Sequence, residues 1–142
     1  MTITLTALRC VAGASLTALT AALSSTGVAA ADDLNAVPPA LLNTSCTADQ
    51  LLAGTRVVDP IAYGAFVDHY HSEPQWLQGL IVTNLNNLMA KDPAGRQAEA
   101  DKFGAMFPKY ASIFRTQESQ ADKIAAACPS FPAQDPSVWN PI

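Results

Sequence analysis

Apolar side chains recur at helical spacing through most of the chain after residue 46, and no segment shows the sustained alternation that a strand requires. The clearest stripe places four residues at i, i+3, i+4 and i+7: Tyr63, Phe66, Val67 and Tyr70. Further stripes follow within residues 77–88, 100–107 and 110–128. The pattern predicts an all-α protein, a small bundle of about five short helices.

Four sites have the sequence chemistry of a helix N-terminus, two as capping boxes and two as an aspartate before a proline: Thr47 with Gln50, Ser72 with Gln75, Asp59 with Pro60, and Asp92 with Pro93. Proline at the first helical position loses no hydrogen bond, because the amide there has no partner in the helix. We expect helices to begin at these points, the second to end near His71 and the fourth to end before Pro108. A fifth, continuous helix is expected from about Lys109.

The first 31 residues have the layout of a signal peptide. Arg9 precedes an uncharged run from Cys10 to Ala31, and two aspartates follow at once. A run of 22 residues is also long enough to span a membrane, but eight Gly, Ser and Thr residues make it only mildly apolar. We therefore expect cleavage after Ala30 or Ala31 and a mature protein that is secreted or held in the cell envelope.

Two of the three cysteines lie beyond this segment. Cys46 and Cys128 are expected to form one disulfide, since such bonds persist outside the cytosol. The bond would close a helical domain of residues 46–128, with an extended lead-in over residues 32–45. Residues 129–142 are rich in proline and are expected to form a draped or mobile tail, anchored by two aromatic residues: Phe131 and Trp139.

Charge and motifs exclude several function classes. Without Arg9 the mature chain has seven basic residues against twelve acidic ones, a net charge of −5 that disfavours nucleic acid and anionic membrane surfaces. The sequence has no Gly-rich phosphate loop, C-x-x-C, H-E-x-x-H or G-x-S-x-G motif. It therefore predicts a protein that is not an enzyme.

Both histidines lie where the aromatic stripe ends. His71 lies at i+4 from Val67, whereas His69 lies on another side of the helix, so the two cannot bind one metal ion together. Tyrosinate and imidazole both serve as axial ligands of haem iron, and a porphyrin requires apolar and aromatic walls. The candidate haem site comprises six residues, with Tyr70 or His71 as the iron ligand: Tyr63, Phe66, His69, Tyr70, His71 and Trp76.

A second interpretation places the same aromatic residues in the core. The protein would then be an exported envelope or interaction protein without a cofactor. Either its Pro-rich tail or its acidic surface would meet a protein partner.

Four segments resemble one known family: C-T-A-D-Q-L at residues 46–51, F-V-D-H-Y-H-S-E-P at 66–74, D-P-A-G-R-Q at 92–97, and A-A-A-C-P-S-F at 125–131. Together with the two cysteines that frame the helices, they make the chain similar to the secreted haemophore-like and haemophore-related proteins of mycobacteria and their relatives. The resemblance implies an exported, all-α, haem-binding carrier. The haem-binding member of that family has Y-L-D-S-H-P in the second segment, so Phe66 stands at its tyrosine position and Tyr70 at its histidine position.

Overall fold

A computed structural model describes residues 36–111 and 117–141 of the 142-residue chain. The predicted signal peptide lies outside these residues. All regular structure in the described part is helical, and it includes the following α-helices: α1 (Pro39–Asn43), α2 (Ala48–Val58), α3 (Pro60–Ser72), α4 (Gln75–Met89), α5 (Pro93–Met106) and α6 (Ala121–Ala127). The predicted all-α fold is confirmed.

Three of the four predicted helix starts are confirmed in atomic detail. The Thr47 hydroxyl accepts from the Gln50 amide at 3.2 Å, and the Gln50 side chain accepts from the Thr47 amide at 3.0 Å, which completes the capping box of α2. Asp59 and Asp92 each accept from the backbone amide three residues on, at 3.0 and 2.7 Å. These carboxylates also lie at the positive end of the helix dipole.

The predicted capping box of Ser72 with Gln75 is wrong. Ser72 is the last residue of α3, and its hydroxyl donates to the His69 carbonyl of the same helix at 2.6 Å. This local acceptor removes the hydroxyl from the capping role, a competition typical of serine near a helix end. Helix α4 starts after Pro74 with no side-chain cap.

The prediction of one continuous fifth helix is also wrong. Residues 108–111 are helical, but the chain turns at Gln117 and passes through the 3₁₀ helix Glu118–Gln120 before α6. Residues 112–116 of the predicted helix lie outside the described part. The new direction brings α6 against α2, where a Cβ at Gly54 would stand 3.3 Å from the Ile124 carbonyl oxygen. Glycine allows this close approach, whereas a side chain here would require the α6 backbone to shift by a few tenths of an ångström.

The sequence predicted an extended lead-in, but residues Pro39–Asn43 of this segment form the helix α1. Pro39 occupies the first position of α1, where its fixed φ suits a helix. The Pro-Pro pair therefore begins a helix here, although it would break one that ran through it. The amide of Val37 donates to the Gln97 side chain of α5 at 3.1 Å, which fixes the lead-in to the bundle.

A buried guanidinium joins two helix ends. Arg96 Nη1 donates to the carbonyl oxygens of Leu41, Leu42 and Thr44 at the end of α1, and Nη2 donates to the Met89 carbonyl at the end of α4 at 3.0 Å. A cation is stabilised at both places, because each helix C-terminus carries partial negative charge. Burial lowers the pKa of Arg96.

The predicted disulfide is confirmed. Cys46 and Cys128 are bonded, with their Cα atoms 6.2 Å apart, and the bond joins the residue that precedes the α2 cap to the end of α6. It closes a loop with a sequence separation of 82 residues. A domain this small has a limited core, so a crosslink across nearly its whole length contributes strongly to stability.

Replacing both bonded cysteines with alanine is expected to lower the free energy of unfolding by about 4 kcal/mol, because the unfolded chain loses its crosslink. Urea unfolding in oxidising buffer measures this change. Wild-type protein reduced with a thiol is the control and should unfold at the same urea concentration as the variant. Equal midpoints for variant and oxidised wild type would contradict the role given to the Cys46–Cys128 bond.

Arg96→Met is expected to cost about 3 kcal/mol of stability, since it leaves the carbonyl groups of two helix ends buried without a donor. Lys102→Met is the matched control. The Lys102 side chain is 67% exposed and pairs with Glu99 one turn away, so its replacement should change stability by less than about 0.5 kcal/mol. Similar urea midpoints for the two variants would show that Arg96 does not hold α1.

Candidate functional site

The C-terminal tail (residues 129–142) is fastened to the first turn of α2. The Asp49 carboxylate accepts from the Trp139 indole N–H at 2.9 Å and from the Asp135 amide at 2.8 Å. Thr47 and Gln50 each donate from the side chain to a carbonyl group of the tail, at 2.7 and 2.8 Å. The predicted draping and the Trp139 anchor are confirmed for the described part of the tail, which is docked over its length.

The tail covers the first half of the aromatic stripe. Tyr63 is fully buried, and its hydroxyl lies 2.8 Å from the Val138 carbonyl and 3.1 Å from the Asn140 carbonyl, so these two acceptors share its proton. Phe66 is 1% exposed, and its ring centroid lies 6.0 Å from that of Trp139. Two of the six candidate residues, Tyr63 and Phe66, are therefore part of the hydrophobic core.

The other four candidate residues lie where α3 ends and α4 begins, in a segment that we call the α3–α4 corner (residues 69–76). Tyr70 is half-buried there between two rings. The His71 imidazole meets it edge-on with centroids 5.2 Å apart, and the Trp139 indole lies 5.2 Å away on a tilted plane. The aromatic stripe thus continues to the surface through Tyr70.

The two histidines point to different neighbours. His71 Nε2 lies 2.7 Å from the Trp139 carbonyl oxygen, which can only accept, so Nε2 carries a proton and Nδ1 keeps the free lone pair of the neutral ring. The His69 ring lies 6.2 Å from that of Tyr110. Within the described ranges no three His, Cys, Asp or Glu side chains form a cluster suited to a metal ion.

The most exposed aromatic residue of the α3–α4 corner is Trp76, which is 71% exposed in the first turn of α4. Leu80, one turn further along the same face, is also exposed. Large apolar side chains that share one exposed helix face are typical of a binding surface. Trp76 is therefore available to a ligand or a partner.

Tyr110 is a residue of this region that the sequence did not identify as part of a site. It is 2% exposed, and its hydroxyl is buried without a hydrogen-bond partner. Burial first, and then the charges of Glu73 and Tyr70, raise the pKa of Tyr110 to about 12. Burial also raises the pKa of Tyr70. In the sequence, Tyr110 appears only as one member of an apolar stripe, so no local signal marks it.

The family of the chain follows from a match over residues 31–141 to the model described as Domain of unknown function (DUF5078). The chain belongs to this family. All residues that the structure describes, 36–111 and 117–141, lie within this match. No curated protein matches the chain.

The DUF5078 domain also contains an apolar cavity of about 90 Å³, separate from the α3–α4 corner. Its walls come from α1, α2, α4, α5 and α6 and include Leu41, Leu52, Leu85, Phe103 and Ile124. Sites for drug-sized ligands measure about 300–1,000 Å³, so a porphyrin does not fit in this space.

No helix within residues 36–111 or 117–141 has the length and the apolar character needed to cross a membrane.

Trp139→Ala is expected to lower the free energy of unfolding by about 3 kcal/mol, because it removes the ring that covers Phe66 and the hydrogen bond to Asp49. Trp76→Ala removes the same side chain from an exposed position and should cost less than about 0.5 kcal/mol. Urea unfolding followed by far-UV circular dichroism compares the two variants. Equal costs would contradict the docking of the tail.

Proposed function

We propose that the protein is an exported, non-enzymatic haem carrier, and that haem binds at the α3–α4 corner with Tyr70 as the iron ligand. The observation that carries the proposal is the position of Tyr70. Its ring is half-buried between His71 and Trp139, at the surface end of an aromatic wall.

The hydroxyl groups of the stripe explain the choice of Tyr70. The Tyr63 hydroxyl is bonded to two carbonyl groups of the tail in a fully buried position. No group within residues 36–111 or 117–141 forms a hydrogen bond with the Tyr70 hydroxyl. Tyrosine is an established axial ligand of haem iron, and Tyr70 is the stripe tyrosine that can reach a ligand without displacing the tail.

His71 is a weaker candidate for the iron ligand. Its Nε2 is engaged by the Trp139 carbonyl, and only Nδ1 is free to coordinate. In this proposal His71 supports the Tyr70 ring by its edge-on contact. Trp76 and Leu80 provide exposed apolar surface for the porphyrin.

Export is supported by three features. The first 31 residues have the layout of a signal peptide. The Cys46–Cys128 disulfide suits a compartment outside the cytosol. The family match begins at residue 31, which is one of the two positions where the predicted cleavage would leave the start of the mature chain.

A second candidate function is that of an exported protein without a cofactor, which binds another envelope protein. The exposure of Trp76 and Leu80 on one face of α4 favours it. The tail is less suited to this role than the sequence predicted, because its side chains and carbonyl groups already bind α2 and α3. Absence of saturable haem binding would favour this second function.

Haemin titration of residues 31–142, followed by the Soret band, tests the first function. Haemin binding to the wild type should saturate. Tyr70→Phe should weaken the binding by at least about tenfold, because the phenolate ligand is lost. His71→Ala should weaken the binding less than Tyr70→Phe does. Ile61→Ala is the control: Ile61 is 85% exposed near the other end of α3, so its loss matters only if haemin adheres to any apolar surface. Equal affinities of wild type and Tyr70→Phe would rule out Tyr70 as the ligand.

The affinity for haemin is expected to rise with pH. Iron binds the phenolate form, and burial raises the pKa of Tyr70, so binding releases a proton throughout the neutral range. Each pH unit should therefore strengthen binding through Tyr70 by about tenfold between pH 6 and pH 8. Tyr70→Phe, titrated in the same buffers, corrects for pH effects on haemin itself. A difference between wild type and variant that does not change with pH would contradict phenolate ligation.

A further inference from the structure

The apolar cavity of about 90 Å³ is lined by sixteen described residues, and none of these belongs to the candidate haem site. Two of the sixteen have polar side chains, Thr55 and Gln117. The Thr55 hydroxyl already donates to the Leu51 carbonyl at 2.8 Å. A buried water molecule requires two to four polar partners, so a cavity with so few polar groups favours apolar contents.

The wall of the cavity has a buried end and an exposed end. Leu52, Leu85 and Ile124 are each at most 6% exposed. Residues 36–38 of the lead-in are exposed or half-buried, and the cavity is partly open to solvent. The opening therefore lies beside the lead-in, and the closed end lies among the helices.

The volume and the opening of the cavity indicate the shape of a ligand. An engineered apolar cavity of about 150 Å³ binds benzene. This cavity is smaller, which favours a ligand narrower than a ring. A straight alkyl chain is such a ligand, because it is one methylene group wide. It also suits a cavity with one open end, since its polar head stays in water while its methylene groups are buried.

We propose that the cavity is a binding site for the end of a straight alkyl chain, such as that of a fatty acid, whose polar head lies outside beside the lead-in. The inference does not depend on the proposed function, because the two sites share no wall residue. Each methylene group that enters the cavity should strengthen binding about fourfold. Once the cavity is full, further methylene groups lie outside it and add little.

Titration of the full chain with butanoate, hexanoate, octanoate and decanoate tests the inference, with the Cys46–Cys128 bond formed. Methyl ¹³C NMR compares Ile124, which lines the cavity, with Ile81, which is equally buried and is not one of the wall residues. We expect saturable shifts at Ile124 and much smaller ones at Ile81. The affinity should rise about fourfold per methylene group along the series and then level off. Equal shifts at the two residues, or no saturable shift at Ile124 with any of the four acids, would overturn the inference.

Ala100→Leu fills part of the cavity and should weaken octanoate binding by at least about tenfold, because it takes the space of two or more methylene groups. Ala105→Leu is the matched control: it makes the same substitution at an exposed position of α5 outside the cavity, and it should keep the wild-type affinity. Equal affinities of the two variants would overturn the inference. Circular dichroism shows whether Ala100→Leu folds, since overpacking a core is destabilising. If it does not fold, the comparison of Ile124 with Ile81 in the wild type decides.

Discussion

The Asp49 carboxylate accepts hydrogen bonds from the Trp139 indole and the Asp135 amide, and these contacts determine how the tail lies across α2 and α3. Bonds to a charged acceptor are stronger than bonds between neutral groups, so two of them fix both the position and the direction of the segment. The Trp139 ring then covers Phe66, and its carbonyl group faces His71. The placement of the tail therefore determines the surroundings of Tyr70 and His71 at the α3–α4 corner.

The disulfide makes this docking easier. Cys128 is the residue from which the tail continues, and its bond to Cys46 holds the start of the tail three residues from Asp49 in the sequence. A tethered segment meets its acceptors at a high effective concentration, so less free energy is lost on ordering it. Covalent closure and tail docking therefore stabilise the same face of a small domain, while Arg96 secures the ends of α1 and α4.

Features that depend on neighbouring residues could be predicted from the sequence. The capping box of Thr47 with Gln50 and the caps at Asp59 and Asp92 involve residues three positions apart. The failure at Ser72 has a local cause as well, since the His69 carbonyl competes for the hydroxyl. The pairing of the two cysteines followed from their number, because only one bond is possible if the third cysteine lies in the predicted signal peptide.

Features that depend on distant residues could not be predicted. Trp139 and Asp49 are 90 positions apart, and the Tyr63 hydroxyl meets a carbonyl group 75 positions away. Helical spacing showed that Tyr63, Phe66 and Tyr70 share a stripe, but it did not show where the tail would cover that stripe. The unpartnered Tyr110 hydroxyl likewise depends on the approach of α3, which no periodicity encodes.

The central claim is that haem binds at the α3–α4 corner while the tail stays docked over Tyr63 and Phe66. Chemical-shift mapping of ¹⁵N-labelled residues 31–142 with gallium protoporphyrin, a diamagnetic analogue of ferric haem, tests this claim most directly. We predict saturable shifts centred on residues 69–80, with four tail amides still protected from hydrogen exchange: Asp135, Ser137, Val138 and Asn140. Large shifts and lost protection in the tail, or the absence of saturable shifts at the α3–α4 corner, would contradict the account.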